Sequence, residues 1–252
     1  PVAATFEWEF EDGTTLAEAA SIDTMVSLVD ASTFLTHLRR GKSLASQNIE
    51  ATPGDDRTVA DLLVDQVEFA DLILITKTDL VDAAETERVI ATVRAMNPRA
   101  RVVIVTNGVI DPRLVLDAHL YDIATAATYH GYAEELANPH TPETEEYGIS
   151  SVVFRADRPF NRERLLAALR ASTGLVRSKG YCWIDTDLRV AHAWQQAGPN
   201  LQIVPASLWA ANGVTPGAEI VLIGIDFDHE ATLQAFRDAL LSDAEVAALI
   251  PS

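Results

Sequence analysis

Short aliphatic segments alternate with amphipathic segments through the first 120 residues, and this alternation restricts the fold more than any other feature of the chain. Apolar residues recur at helical spacing in residues 56–69 and 85–96, whereas short, mainly aliphatic runs lie at 25–29, 72–75 and 102–105. We expect the runs to be buried strands and the periodic segments to be helices. Because strands that alternate with helices form a parallel sheet, the first half is predicted to be an α/β domain.

The pattern changes at residues 131–147, a stretch rich in proline, polar residues and acids that has no periodicity and is predicted to be a linker. Beyond it, residues 149–155 alternate as a strand, and Asn161 is suited to cap a helix. Four strand-like runs follow, at 175–184, 190–194, 201–204 and 219–227. A closing helix is predicted to bury four apolar side chains, Leu233, Phe236, Leu240 and Leu241. Strands grouped together with helices at both ends indicate a small α+β domain.

The charge of the chain excludes some classes of partner. The formal net charge is −18, of which residues 1–150 carry −16 and residues 151–252 carry −2. Such a chain repels phosphate backbones, so no nucleic acid partner is predicted.

No apolar run reaches the roughly 18 residues of a membrane span and no secretion signal is present, so we expect no membrane association and a cytoplasmic location. A single cysteine, Cys182, cannot form a multi-cysteine metal site, and no metal ligands are predicted.

Three polar residues, Thr76, Lys77 and Asp79, closely follow the aliphatic run 72–75. Open parallel sheets bind ligands at the carboxyl ends of their strands. There the Asp79 carboxylate can accept two hydrogen bonds from adjacent N–H donors, a pair that guanine presents and adenine does not. The stem of Lys77 can lie along the base while its ammonium group stays in water or reaches loop carbonyls. Alternatively, Asp79 only caps a helix that begins near residue 81 or 82.

Several motifs occur in one order along nearly the whole chain. The first half contains FADLILITKTDLV at 69–81, MNP at 96–98 and VTNG at 105–108. The second half contains HTPETEEYGI at 140–149, RPF at 158–160, RSKGYCW at 177–183, WQQAG at 194–198 and IGID at 223–226. This set closely resembles the CobW family of GTPases, a group with metallochaperone-like members. The resemblance implies that residues 1–130 are the C-terminal part of an incomplete parallel-sheet P-loop GTPase (G) domain, 131–147 a linker and 148–252 a CobW-type α+β C-terminal domain.

The resemblance also implies a guanine site. Thr76, Lys77 and Asp79 occupy the positions of the guanine-specificity motif, usually Asn-Lys-x-Asp, with threonine in place of asparagine. Thr106 and Asn107 fall where a second loop of such folds touches the base, although an ordinary turn before Gly108 explains them equally well. The implied ligands of the complete protein are GTP or GDP with Mg²⁺, and its implied cargo is zinc or cobalt. The implied partners are a client metalloenzyme or other metal-receiving protein, and a further copy of the chain in a homo-oligomer.

The motifs that bind phosphate and magnesium are missing from this sequence. A phosphate loop needs Gly-x-x-x-x-Gly-Lys-Ser/Thr after a strand, but Gly41-Lys42-Ser43 has Thr36 at the first glycine position and follows a helical segment. No aspartate stands three residues before any glycine. Because these motifs lie further upstream in the family, we expect the chain to begin midway through its G domain, with no catalytic residues of its own. It should then bind GTP weakly and not hydrolyse it alone, or act only as an interaction module that binds no nucleotide.

Arginines and one lysine recur in the second half of the chain. We expect these cations to face the acidic first half, an acidic partner or solvent, and they are Arg155, Arg158, Arg162, Arg164, Arg170, Arg177 and Lys179.

Overall fold

The first sheet of the protein contains three parallel strands that are hydrogen-bonded in chain order. They are β1 (Val26–Asp30), β2 (Leu72–Thr76) and β3 (Arg101–Ile104), and β2 is the central strand. Residues 72–75 of β2 are all buried, as expected for a parallel strand covered on both faces. The three predicted strands are therefore confirmed to within one residue at each end. The computed structural model describes residues 3, 6, 8–40, 58–122, 148–213 and 215–249.

Within the described residues of the first half, four helices accompany this sheet, α1 (Leu16–Ala19), α2 (Phe34–Arg40), α3 (Val59–Glu68) and α4 (Ala83–Met96). Thr58 starts α3 with a capping box, in which its hydroxyl accepts from the Asp61 N–H and the Asp61 carboxylate accepts from the Thr58 N–H. The helix α4 ends at Met96, as the following Asn97-Pro98 predicts.

The second sheet has five antiparallel strands. They are β4 (Ile149–Ala156), β5 (Leu175–Cys182), β6 (Val190–Ala197), β7 (Asn200–Leu208) and β8 (Ala218–Ile225), arranged in the order β4-β8-β5-β6-β7. Four helices belong to this half, α5 (Arg162–Ala171), α6 (Trp209–Asn212), α7 (His229–Asp238) and α8 (Asp243–Leu249). The predicted cap of α5 is confirmed, because the Asn161 side-chain oxygen accepts from the Arg164 N–H at 3.0 Å. The predicted α+β arrangement of this half is thus observed.

The prediction for the closing helix is wrong in one respect. The helix α7 ends at Asp238, so Leu240 and Leu241 lie beyond it and are not part of its apolar face. A separate helix, α8, follows because Ser242 and Glu245 form a second capping box, with the Ser242 N–H donating to the Glu245 carboxylate at 2.7 Å. The Ser-x-x-Glu spacing was available in the sequence as a signal for this new helix start.

Apart from a small cluster of Leu72, Leu74 and Val105 on the first sheet, two apolar cores hold the described residues together. The larger core joins the two sheets, since Val29 and Ile73 of the first sheet belong to the same buried cluster as Ile149, Val221 and Ile223 of the second. The other core lies under α5 and α7 and centres on aromatic residues, Phe154, Phe160, Trp194 and Phe236. The second sheet is therefore covered by the first half on one face and by its own helices on the other.

Two expectations lie outside the described residues, namely the linker at 131–147 and the Gly41-Lys42-Ser43 triplet. Within the part of the chain that the structure describes, no helix combines the length and apolar character that crossing a membrane requires.

Candidate functional site

The carboxyl ends of the three parallel strands meet at one edge of the first sheet. Asp30, the last residue of β1, is in register with Thr76, the last residue of β2. The Ala31 N–H donates to the Thr76 carbonyl at 3.0 Å, and the Val105 N–H donates to the Ile75 carbonyl at 2.8 Å. The backbone is therefore held firmly where the predicted base-binding residues begin. This is the edge at which open parallel sheets bind ligands.

Lys77 is fixed at this edge by an ion pair that sequence analysis did not predict. Its backbone is left-handed, with φ of 58°, and its ammonium group lies 2.6 Å from Oδ2 of Asp30. The ammonium thus binds a carboxylate on the neighbouring strand, whereas the expectation was that it would stay in water or reach loop carbonyls. The signal available in the sequence was that the run 26–29 also ends in a polar residue, as the run 72–75 does.

The Asp30 carboxylate has a second partner. The Ser32 N–H and hydroxyl donate to its other oxygen at 3.0 and 2.6 Å. Partial burial raises the pKa of Asp30, but the hydrogen bonds from Lys77 and Ser32 outweigh it, so the pKa lies below its ordinary value. Asp30 is therefore ionised at neutral pH and available to hold the ammonium group of Lys77.

Asp79 lies on a single 3₁₀ turn, Thr78–Leu80, and its side chain is exposed. The helix α4 is capped by Asp82, whose carboxylate accepts from the Glu85 N–H at 2.8 Å. The alternative explanation of Asp79 as a helix cap is therefore wrong. In the described part of the chain, no hydrogen bond or ion pair occupies the Asp79 carboxylate.

The other predicted residues of the guanine site form hydrogen bonds within the protein itself. The Thr76 hydroxyl donates to the Val29 carbonyl at 3.2 Å, which leaves its oxygen free to accept. Thr106 and Val109 are joined by a turn in which Asn107 and Gly108 have φ of 52° and 72° and the Val109 N–H donates to the Thr106 carbonyl. Positive φ at both central residues is typical of a type I′ turn, for which Asn-Gly is the preferred pair. The turn at Gly108 is thus observed, and contact of Thr106 or Asn107 with a base stays a prediction.

A cluster of possible metal ligands lies near the start of β1, at the edge of the first sheet opposite to the predicted base-binding residues. One ligand atom each of Asp23, Asp117 and His119 lies within 4.8 Å of the others. The two ring nitrogens of His119 face different carboxylates, Nδ1 at 3.2 Å from Asp23 and Nε2 at 2.9 Å from Asp117. Each ring nitrogen thus faces its own carboxylate, whereas a metal would need one ring nitrogen and both carboxylates to converge on one point. Sequence analysis did not predict this cluster, because Asp23 is 96 residues away from His119 in the chain.

The fold defines a class of protein, in which an α/β domain with a parallel sheet is followed by a smaller α+β domain. Residues 1–104 match the family model described as CobW/HypB/UreG, nucleotide-binding domain. Residues 149–240 match the model described as cobalamin synthesis protein cobW C-terminal domain. The two matches follow the order expected from the sequence motifs, and the chain belongs to the CobW family.

Curated relatives agree with this assignment. The chain is 37% identical over 84% of its length to the zinc-regulated GTPase metalloprotein activator 1 of Dictyostelium discoideum, of which it covers 46%. It is 33% identical over 62% of its length to the zinc chaperone Rv0106 of Mycobacterium tuberculosis, of which it covers 37%. The chain thus spans less than half the length of both curated relatives. Among solved structures, the Zn(II)-bound YjiA GTPase from E. coli aligns with 87% of the chain and 62% of that protein, at 25% identity and a TM-score of 0.41.

Proposed function

We propose that the chain supplies the guanine-recognition edge and the C-terminal domain of a GTP-dependent zinc chaperone. Zinc is preferred over cobalt as cargo because curated relatives carry the descriptions zinc-regulated GTPase metalloprotein activator and zinc chaperone. In this proposal, GTP with Mg²⁺ drives the transfer of zinc to a client metalloprotein.

One observation supports guanine recognition most strongly. The Asp79 carboxylate projects from a rigid strand end, is exposed, and has no partner among the described residues, while Asp82 performs the capping role nearby. A free carboxylate can accept both hydrogen bonds from the adjacent N1–H and N2–H donors of guanine, whereas adenine lacks this pair. Asp79 is therefore proposed to select the base.

Lys77 is proposed to support the base from one side. Its ammonium group is bound by Asp30, so the methylene stem between the strand end and Asp30 has a restricted path. An apolar stem held in this way offers a flat surface on which a heterocycle can lie. Thr76 assists by accepting a hydrogen bond at its hydroxyl oxygen, and Thr106 and Asn107 are proposed to bound the site from the β3 side.

The expected affinity for an isolated nucleotide is low. Hydrogen bonds to a charged group contribute about 1.5–3 kcal/mol each. The translational and ordering cost of binding is about 4–15 kcal/mol. Two such bonds and one stacking contact roughly balance that cost, so the test must detect weak binding.

Saturation-transfer difference NMR with this chain provides such a test. GMP is expected to receive saturation at its base protons and to be displaced poorly by AMP. The Asp79→Asn variant should lose its preference for GMP and gain preference for XMP, because an amide can donate to the xanthine 2-oxo group. Asp82→Asn is the matched control, since asparagine also caps helices well and the base preference should not change. Equal signals from GMP and AMP, or an unchanged preference in Asp79→Asn, would contradict base selection by Asp79, and no signal from either nucleotide would favour the interaction module that binds no nucleotide.

Zinc transfer has its own test. An apo client metalloenzyme is expected to gain activity faster from the zinc-loaded chaperone of which this chain is proposed to be a part when GTP is present than when GDP is present. Equal rates with both nucleotides would contradict GTP-driven delivery while leaving the proposal for Asp79 intact.

A further inference from the structure

A cavity of about 490 Å³ lies where the C-terminal end of α2 approaches the second sheet. One wall is contributed by Arg39 of α2, and the other walls come from the end of α5, the start of β5 and the turn between β6 and β7. The lining residues are Arg39, Leu169, Arg170, Ser172, Thr173, Gly174, Leu175, Val176, Gln196, Gly198 and Pro199. Its volume is within the range of small-molecule pockets, which occur preferentially between structural units.

The charge of this lining is opposite to that of the chain. Among the described residues, two arginines line the cavity, Arg39 and Arg170, and no acidic residue does, although the chain holds 37 acids against 19 lysines and arginines. Neither arginine forms an ion pair within the described residues. The cavity is therefore a local positive region in a strongly acidic protein, and such a concave region attracts anions.

Three other arginines of the second half form ion pairs with nearby acidic residues. Arg155 pairs with Glu219, Arg158 with Asp243 and Arg164 with Glu245. Arg170 follows Arg164 by nearly two helical turns on α5 but lacks such a partner in the described part of the chain. Arg170 and Arg39 thus line the same cavity from opposite halves of the protein.

Polar groups other than the arginines shape the floor of the cavity. Gln196 is 3% exposed, and its amide is already used, accepting from the Ser178 hydroxyl and donating to the Gly198 carbonyl. The Ser172 hydroxyl donates to the Ala168 carbonyl at 2.9 Å, so its oxygen can still accept but its proton is engaged. The floor is thus rigid, and the donors available to a ligand are chiefly the two guanidinium groups.

We propose that this cavity binds a small polyanion, a carboxylate or phosphate compound, between Arg39 and Arg170. A guanidinium group presents paired N–H donors that match the oxygens of both anion types. In this proposal the anion contacts both arginines. Because Arg39 belongs to the first half and Arg170 to the second, the bound anion holds α2 against the end of α5. This site is separate from the strand-end edge proposed for guanine.

Isothermal titration of the whole chain with citrate and, separately, with inorganic phosphate tests the proposal and distinguishes the two anion types. At least one of them should bind with a measurable heat and one site per chain. Arg39→Gln and Arg170→Gln should each weaken that binding by about tenfold or more, as expected for loss of a charged hydrogen-bond donor. Arg237→Gln is the matched control, because Arg237 lies on α7 outside the cavity, and it should bind like the parent.

A second variant tests occupancy without removing charge. Thr173 is exposed at the rim, so Thr173→Trp should fill the cavity and abolish anion binding while both arginines remain. Circular dichroism of each variant confirms folding. The proposal is overturned if neither anion binds the parent chain at millimolar concentration, or if the Arg39→Gln/Arg170→Gln double variant or Thr173→Trp binds as the parent does.

Discussion

Arg177 and Glu68 form a two-point ion pair between the second sheet and the end of α3. Nε of Arg177 lies 2.7 Å from one Glu68 oxygen and Nη2 lies 3.2 Å from the other, while the Lys179 ammonium is 3.3 Å from the second oxygen. Arg177 is only 5% exposed, and its Nη1 also donates to the Gln196 carbonyl at 3.1 Å. Arg177 and Lys179, two of the seven cations noted in the second half of the sequence, thus face the acidic first half. This was one of the three expectations for those cations.

Replacing Glu68 by alanine should destabilise the protein by about 3–5 kcal/mol, because the buried Arg177 would lose its counter-charge. Urea unfolding followed by tryptophan fluorescence measures this free energy. The matched control is Glu18→Ala on the exposed helix α1, which should change the free energy of unfolding by less than about 0.5 kcal/mol. Equal losses in the two variants would contradict the role of the Glu68 ion pair.

The same pair should make stability depend on pH in the acidic range. Burial raises the pKa of Glu68, but Arg177 and Lys179 outweigh it, so the pKa in the folded state lies below the ordinary 4.5. The ion pair therefore contributes its full stabilisation above about pH 4.5 and loses it as the pH falls through the folded-state pKa. We expect the difference in unfolding free energy between the parent and Glu68→Gln to be constant near neutral pH and to shrink below about pH 4.5. If the difference in unfolding free energy grows on acidification, the pKa of Glu68 in the folded state lies above and not below its ordinary value.

Gly198 should not tolerate a side chain. Its φ is 54°, and a Cβ there would overlap the Leu38 carbonyl oxygen and approach Ala60 Cβ to 3.2 Å. Gly213 has a similar φ of 61°, but no atom lies within 4 Å of the position that a Cβ would take, so Gly213→Ala isolates the backbone cost of about 1–2 kcal/mol. We expect Gly198→Ala to lower the free energy of unfolding clearly more than Gly213→Ala. Similar losses would mean that the β6–β7 turn moves away from α2 at little cost.

Asp30 is expected to act through Lys77. Asp30→Asn removes the carboxylate that holds the Lys77 ammonium and should weaken GMP binding by about two- to fivefold, as for loss of a partly exposed ion pair. Because Asp79 is proposed to select the base, the preference for GMP over XMP should not change. The NMR titration proposed for Asp79→Asn measures both the affinity for GMP and the base preference. Asp111→Asn is the control, because Asp111 pairs only with nearby Arg113 among the described residues. A changed base preference would mean that Asp30 itself contacts the base.

Much of the fold could be predicted from local patterns. The aliphatic run at 72–75 indicated a buried parallel strand, and Asn161 indicated a helix start, because both signals arise from neighbours in sequence. The end of α7 could not be placed by apolar spacing alone, since Leu240 and Leu241 continue the pattern past the last helical residue. Capping residues mark helix boundaries more directly than the apolar side chains do, and Ser242 with Glu245 carried that information.

The sequence by itself determined the two kinds of sheet, the strand-end position of Thr76, Lys77 and Asp79, and the family. Only the tertiary structure decided that Lys77 pairs with Asp30, 47 residues away, and that Arg177 pairs with Glu68, 109 residues away. Periodicity and caps report burial and hydrogen bonding within a few residues of chain. Pairs between distant residues depend on which strands and helices become neighbours, and that choice is made by the packing of the whole core.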